Sequence, residues 1–401
     1  MADLSIKRGQ LAMVVFYVAI WYAGNILYII YNDQASVAFA NPPPIDPKTR
    51  KMVVGAHPDK AYWAMSVATG QLAVGVLYAL YMWIMGGRAV PKINFADFMQ
   101  MVPAGACSAL AHASSVFALS VGGIAFGSIV KAAEPVFSAI IVTTLDAIFP
   151  SKDGKKNPDV PNIAQFLCFI PIVGGIAIAS LTFDPKTFAP SINKDFFSMA
   201  GLLYACAANI FAAFKGIEGK KIKNDKDLSG KLGNETNAFA VFGIISLLIS
   251  IPLMLVKEGQ NAGGMKAFYD LIFNSKLVEN GKDILYKGKV IPNYSGLTTL
   301  LLSGLTFYLY NEAVFLTIWH ETKNPMGMDP VVNSVANTAK RVVVIGMGPY
   351  VQGKPPLVLS QYIGCGICIV GVFLYSMFKD HGHGPAHAPE APATGSVKKT
   401  N

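Results

Sequence analysis

Ten apolar runs, each about as long as a helix needs to cross the hydrocarbon core of a bilayer, dominate this chain. They lie at approximately 10–31, 61–86, 97–119, 123–149, 162–182, 196–215, 237–256, 296–320, 329–350 and 357–378. In lipid every backbone N–H and C=O must be satisfied within the chain, so runs of this kind fold as spanning helices. The expected fold class is an all-α membrane protein of ten transmembrane helices, with both ends of the chain on one side. Composition agrees: 53% of the 401 residues are hydrophobic and only 14% are charged, too apolar for a soluble protein of this size. The formal charge of +9 does not indicate nucleic acid, because Lys and Arg are scattered through short loops with no basic stripe interleaved with surface aromatics. The loop charges lean slightly toward the terminal side, which by the positive-inside tendency puts the termini in the cytosol-equivalent compartment.

The five cysteines, Cys107, Cys168, Cys206, Cys365 and Cys368, fall inside apolar runs, so no extracellular disulfide framework is implied. Cys365 and Cys368 form a CxxC that, within a spanning helix, reads as small residues at a packing face. The lead Met1-Ala-Asp-Leu-Ser-Ile-Lys-Arg is too short for a transit peptide. Targeting is then internal, or a presequence is missing from this sequence. Pro42-Pro43-Pro44 favours an extended first connection. Lys215–Asn237 is polar and Lys-rich and reads as a solvated loop, and Ala267–Phe273 as a short interfacial helix. The tail 380–401, rich in His, Gly, Pro and Ala, reads as disordered, and its histidines as part of a flexible tail rather than a metal site.

Against this apolar background a few charges stand out. Phe126–Pro135 reads Phe-Gly-Ser-Ile-Val-Lys-Ala-Ala-Glu-Pro and places Lys131 and Glu134 inside the fourth run. Val335–Val342 places Lys340 next to Arg341 inside the ninth. A cation at that depth costs about 2.5–3.5 kcal/mol on insertion scales, so each is by default a functional candidate. Three cations with few acids to match them point to an anion site. Arg offers a planar fork suited to phosphate, and Lys a mobile point charge.

Ten runs divide into five plus five, and the two cationic places fall in the fourth run of each half. Corresponding placement is what an inverted repeat predicts, with a binding site near the midplane where the halves meet. The expected division is a lead at 1–9, a first five-helix repeat at 10–190, a second at 191–379, and the tail at 380–401.

Residues three or four apart share a helix face. That spacing aligns Ser108, His112 and Ser115 in the third run. In the ninth it aligns Asn333, Asn337 and Lys340, with Ser334, Thr338 and Arg341 beside them; the eighth offers Tyr310, Asn311 and Glu312. Such groups can donate hydrogen bonds to an anion and to the polar body attached to it. Structural alternatives stand next to these. Lys131 and Glu134 could neutralise each other, Lys131 could serve the backbone carbonyl that Pro135 leaves unpaired, and Glu312 could pair with Arg341. His112 could be a satisfied interior histidine. Lys340-Arg341 is the least ambiguous, because adjacent cations repel and need an anion or a wet cavity.

These residues resemble a known family. Ser128-Ile-Val-Lys-Ala-Ala-Glu-Pro135, preceded by His112-Ala-Ser-Ser115 and followed by Tyr310-Asn311-Glu312 and Asn337-Thr-Ala-Lys340-Arg341-Val-Val-Val, looks like the plastid phosphate translocators of the drug/metabolite transporter superfamily. Trp21-Tyr22 with Asn25 also looks like that family's first span. The resemblance implies an antiporter, not an enzyme, that exchanges inorganic phosphate for phosphorylated C3, C5 or C6 compounds. It implies no cofactor and no metal. By position, Lys131, Lys340 and Arg341 match the phosphate-binding cations, and His112, Ser115 and Tyr310 match contacts to phosphate or the substrate body. Glu134, Asn337 and Glu312 would support them. Having both His112 and Tyr310 looks most like the triose-phosphate subgroup, so triose phosphate or 3-phosphoglycerate is the expected cargo. Carriers of phosphoenolpyruvate, pentose or hexose phosphate, or of nucleotide sugars in the secretory pathway, are the alternatives. The departures are Ser115 for a common Thr, a first span ending Tyr31-Asn32-Asp33-Gln34 without the usual Lys, and a long link at His320–Pro330.

The expected partners are small phosphorylated metabolites, inorganic phosphate and the lipid bilayer, with no nucleic acid, and the assembly a monomer or homodimer. The expected place is the plastid envelope, or one membrane of a complex algal plastid. Closing a cavity around unpaired cations desolvates them without compensation, so reorientation should need a bound dianion, which makes transport strict exchange. A membrane enzyme using His112 and Glu312 as acid and base is the reading from another class; no metal cluster, phosphate loop or nucleophile motif supports it.

Overall fold

The computed structural model describes the backbone of residues 2–40, 59–150, 160–183, 190–193, 196–273, four two-residue strands within 278–290, 295–323, 330–351 and 356–380. Side chains are described for the same residues except 2–14, 235, 278–290, 315, 317–323, 330–339, 379 and 380. The helices are α1 (Ala2–Ala38), α2 (Ala64–Ile84), α3 (Phe95–Gly122), α4 (Ile124–Lys131), α5 (Glu134–Ile148), α6 (Ile163–Leu167) and α7 (Phe169–Ala179). They continue as α8 (Met199–Asn224), α9 (Lys226–Leu232), α10 (Glu235–Glu258), α11 (Gly264–Phe273), α12 (Gly296–Lys323), α13 (Pro330–Val351) and α14 (Leu359–Asp380). Every apolar run read from the sequence is occupied by helix. Among the described residues, seven segments are long and apolar enough to cross a membrane: Val15–Ala38, Ala64–Ile84, Phe95–Gly122, Ile124–Ile148, Met199–Asn224, Thr236–Glu258 and Leu359–Phe378. Large apolar side chains such as Leu77, Ile84, Ile163, Leu203 and Val256 remain exposed on the outside, as lipid-facing helices require.

The chain is mostly helical, but not wholly so. Leu181–Phe183 pairs antiparallel with Pro190–Ile192, and two shorter strand pairs, Val278–Glu279 with Lys282–Asp283 and Leu285–Tyr286 with Lys289–Val290, sit between α11 and α12. The solvated loop expected at Lys215–Asn237 is largely helix instead. Helix α8 continues to Asn224, with Glu218 and Lys221 paired at 2.5 Å on one face, and α9 follows at once because the Asp225 carboxylate accepts from the Asp227 and Leu228 amides. Polarity there marked a helix leaving the apolar layer, not a break in the backbone. The interfacial helix expected at Ala267–Phe273 is α11, which buries Phe268 and Leu271 and exposes Tyr269 and Phe273. The proline-rich connection, the His320–Pro330 link over 324–329 and the tail beyond residue 380 lie outside the described residues.

The fourth run is broken at Ala132-Ala133, where α4 ends and α5 begins with Pro135 in its first turn. Proline has no N–H and favours the first turn of a helix, so a helix meeting it midway restarts there. The break leaves Lys131 at a helix C-terminus and Glu134 at a helix N-terminus, the ends where the helix dipole favours a cation and an anion respectively. The Val130 carbonyl at this break accepts from the Asn209 side-chain amide of α8 at 3.0 Å. That carbonyl also accepts from the Ala133 amide at 3.0 Å, so it is doubly satisfied inside the protein.

Small residues set how closely the helices approach. A Cβ added at Gly201 of α8 would lie 2.6 Å from Gly122 Cα of α3, and one at Gly24 of α1 would lie 2.9 Å from Tyr310 Cβ of α12. Gly175 of α7 meets Gly364 and Cys368 of α14, so Cys368 of the CxxC lies at a packing face. With little hydrophobic drive between helices in lipid, this close packing is what holds them together. Polar capping helps at one end: Glu258, at the end of α10, accepts from the Met65 and Ser66 amides at 2.7 Å and the Ser66 hydroxyl at 2.6 Å, closing the N-terminus of α2.

Candidate functional site

A cavity of about 240 Å³ lies where α1, α4, α5, α12 and α13 meet. Its lining includes Trp21, Asn25 and Tyr28 of α1, Lys131, Glu134, Tyr310 and Asn311, and Lys340 and Arg341 of α13. The cationic places of the two halves, more than 200 residues apart in the chain, therefore open on one space.

Each cation is held differently. The Lys131 ammonium donates to the Ser115 hydroxyl oxygen at 2.9 Å, and that hydroxyl donates to the Ala111 carbonyl at 2.7 Å. Ser115 spends its proton on its own helix, which leaves its lone pairs for the lysine. The Arg341 guanidinium donates to a Glu134 carboxylate oxygen at 3.3 Å. Glu134 is 40% exposed against 16% for Arg341, so water screens the pair and Arg341 keeps most of its field. The Lys340 ammonium has no carboxylate within ion-pair distance among the described residues. It stands 4.9 Å from the Trp21 ring centre and 6.0 Å from that of Tyr310. An aromatic face attracts a cation without neutralising it. Three cations thus face one carboxylate.

The structure corrects two pairings left open by the sequence. Glu134 meets Arg341 across the helix interface instead of Lys131 three residues away, because the break in the helix turns the two apart. Glu312 does not meet Arg341. It points away from the cavity and is ion-paired with Arg88, in the turn after α2. Glu312, expected to support the site, is not among the residues that line the cavity. His112 is also set back: it is buried, its ring centre is 4.0 Å from that of Phe307, its Nε2 has no partner among the described residues, and it does not line this cavity. Ser108 lines a separate pocket of about 20 Å³ with Gln71, Lys215, Tyr308 and Asn311. The side chain of Asn337 lies outside the described residues.

Sequence reasoning missed Lys215. Assigned to a loop, it sits in α8 and lines both that small pocket and a larger one of about 290 Å³, which also contains Glu134, Lys223, Ser229 and Asn234. Its position six residues after Asn209 in an apolar helix was the available signal.

Apolar helices with lipid-facing exteriors, one of them interrupted at a half-buried cation, and an interior cavity lined by three cations define a multi-pass helical membrane protein with a positively charged interior site. A family model described as the Triose-phosphate Transporter family matches residues 12–376, and the chain belongs to that family. Similar curated proteins include a chloroplastic phosphoenolpyruvate/phosphate translocator of Oryza sativa subsp. japonica, 27% identical over 90% of this chain and 70% of its own length. A chloroplastic glucose-6-phosphate/phosphate translocator of Arabidopsis thaliana is 26% identical over 94% of this chain and 78% of its own. A chloroplastic triose phosphate/phosphate translocator of Pisum sativum is 27% identical over 91% and 72%. One solved crystal structure superimposes over 92% of this chain and 99% of its own with 13% identity and a TM-score of 0.43, too loose a match to bear on the fold.

Proposed function

We propose that this protein is a carrier that exchanges inorganic phosphate for a phosphorylated three-carbon compound, triose phosphate or 3-phosphoglycerate, across a plastid envelope membrane. One observation carries the reading: Lys131, Lys340 and Arg341 line one cavity with Glu134 as the only carboxylate among its described lining residues. A phosphate dianion matches that excess of charge. Arg341 supplies the fork, and Lys131 and Lys340 supply point charges from the two sides. Ser115 holds Lys131, and Tyr310 bounds the space that the substrate body enters. His112, one layer behind, acts on the body only through Phe307 or by a change of rotamer. The names of the similar proteins support phosphate exchange, and their spread over three substrate classes leaves the size of the body to the experiment.

We further propose ten membrane helices in two inverted repeats, 10–190 and 191–379. The pairing of helices supports this. If α1 corresponds to α8, α2 to α10, α3 to α12, α4 and α5 to α13, and α6 and α7 to α14, then the packing of α1 on α12 mirrors that of α8 on α3. The packing of α2 on α12 mirrors that of α10 on α3, and α2 with α10, α4 with α13 and α7 with α14 are self-corresponding pairs. A cavity bounded by the interrupted α4–α5 and by its counterpart α13 lies where such an arrangement puts it.

Closing this cavity empty would bury unpaired cations. Bound dianion stabilises the closed state, so only the loaded protein reorients, and transport is obligatory exchange. The test is counter-exchange of labelled phosphate in liposomes preloaded with phosphate, triose phosphate, 3-phosphoglycerate, phosphoenolpyruvate or glucose 6-phosphate. Uptake is expected only into loaded vesicles and fastest against three-carbon cargo. Equal uptake into empty vesicles would overturn the exchange reading, and indifference to all five would overturn the substrate reading.

A further inference from the structure

Trp21 is one of the largest fully buried side chains of the protein, 1% exposed, and its indole Nε1–H has no hydrogen-bond acceptor among the described residues. An indole nitrogen is a donor only, and a buried donor left unmade is unusual enough in a folded protein to need a reason. Trp21 lines the cavity that also holds Lys131, Lys340 and Arg341. Its ring face is 4.9 Å from the Lys340 ammonium, and its other neighbour on α1 is the edge-packed Tyr22 ring, 5.7 Å away. The packing that fixes it is tight: three residues on, Gly24 lets α1 approach Tyr310, the second ring over Lys340.

We propose that Trp21 is a ligand-binding residue of this site, its Nε1–H reserved for an acceptor oxygen of the bound phosphate compound and its ring face holding Lys340 over the cavity. The inference rests on the anion-site reading above and adds to it a neutral donor. The two roles fit together chemically. An ammonium held by a carboxylate would be neutralised, whereas one held by π faces stays positioned and available. A neutral N–H on the same indole gives direction to an oxygen that the cations alone would hold by charge without orientation. An acceptor-only ligand such as a phosphate or carboxylate oxygen satisfies the orphaned donor, and a cationic or purely apolar ligand does not.

The experiment measures protection of the full chain, in detergent, against thermal unfolding by inorganic phosphate, together with tryptophan emission during the same titration. Trp21→Phe keeps a ring face and removes the N–H. It is expected to raise the phosphate concentration for half-maximal protection about tenfold and to abolish the phosphate-induced change in emission. Trp21→Leu, which also removes the π face, is expected to raise it further. Unchanged half-maximal protection in Trp21→Phe would overturn the proposal. Should Trp21→Phe not fold, a chain with Trp63, Trp83 and Trp319 changed to Phe retains Trp21 as its only tryptophan. Emission indifferent to phosphate in that chain would then overturn it. Lys340→Ala separates the two readings. If wild type and Lys340→Ala are protected equally, the anion site itself fails; if protection is lost in Lys340→Ala and intact in Trp21→Phe, only the role of Trp21 falls.

Discussion

Arg88, in the turn after α2, is ion-paired with Glu312 of α12, and the two side chains are only 11% and 7% exposed. The Arg88 guanidinium also lies 5.7 Å from the Tyr78 ring. The pair ties the connection between α2 and α3 to the helix that presents Tyr310 and Asn311 to the cavity. Breaking a buried pair from one side strands the other charge, which costs about 3–5 kcal/mol. Glu312→Ala alone should therefore lower the thermal midpoint markedly, while the double change Arg88→Met with Glu312→Leu should recover most of the loss. If single and double variants melt alike, the stranded charge is not the cause.

In the cavity, Lys340→Ala and Arg341→Ala are each expected to abolish phosphate exchange with helix content unchanged by circular dichroism. Ser115→Ala removes the hydrogen bond that positions Lys131 and should weaken exchange by at most about tenfold. Full exchange in both cation variants would remove these residues from the site.

At the crossing of α3 and α8, a Cβ on Gly201 has no room against Gly122, whereas one on Gly174 meets nothing within 4 Å. Gly201→Ala should destabilise by about 1–3 kcal/mol through overpacking. Gly174→Ala should be neutral or slightly stabilising, since Ala favours helix more than Gly does. Thermal melts of the two variants side by side check this.

Helix α9, outside the membrane-spanning segments, carries a pH signature. The Leu228 amide and the Gln100 side chain donate to Asp225 and hold its carboxyl below the usual range. A depressed carboxylate stabilises above its unfolded pKa and loses that contribution as pH falls through the folded value. The α9 cap should therefore hold at neutral pH and loosen below about pH 4. Lys231, bonded to Asp227 and Asp97, is raised. Its contribution is present below the ordinary lysine value and disappears only as pH rises through the folded one, so alkali up to about pH 10 should leave α9 intact. Hydrogen exchange of α9 amides across this range is the measurement, and Asp225→Asn should flatten the acid limb.

The helices were legible in the sequence because lipid leaves the backbone no other partner: a run of about 20 apolar residues has one way to satisfy itself. Pro135 and its unpaired carbonyl were legible too, but the run 123–149 read as one spanning helix, and the break at Ala132-Ala133 appeared only in the structure. What the sequence left open was who meets whom. Glu134 could have met Lys131 or Arg341, and Glu312 could have met Arg341, because spacing along one helix says nothing about contacts between helices. Those pairings, the Trp21 face over Lys340, and the place of Lys215 were decided by how closely glycines such as Gly24 and Gly201 let the helices approach and at what rotation. That is a property of the packed bundle, and no single helix carries it.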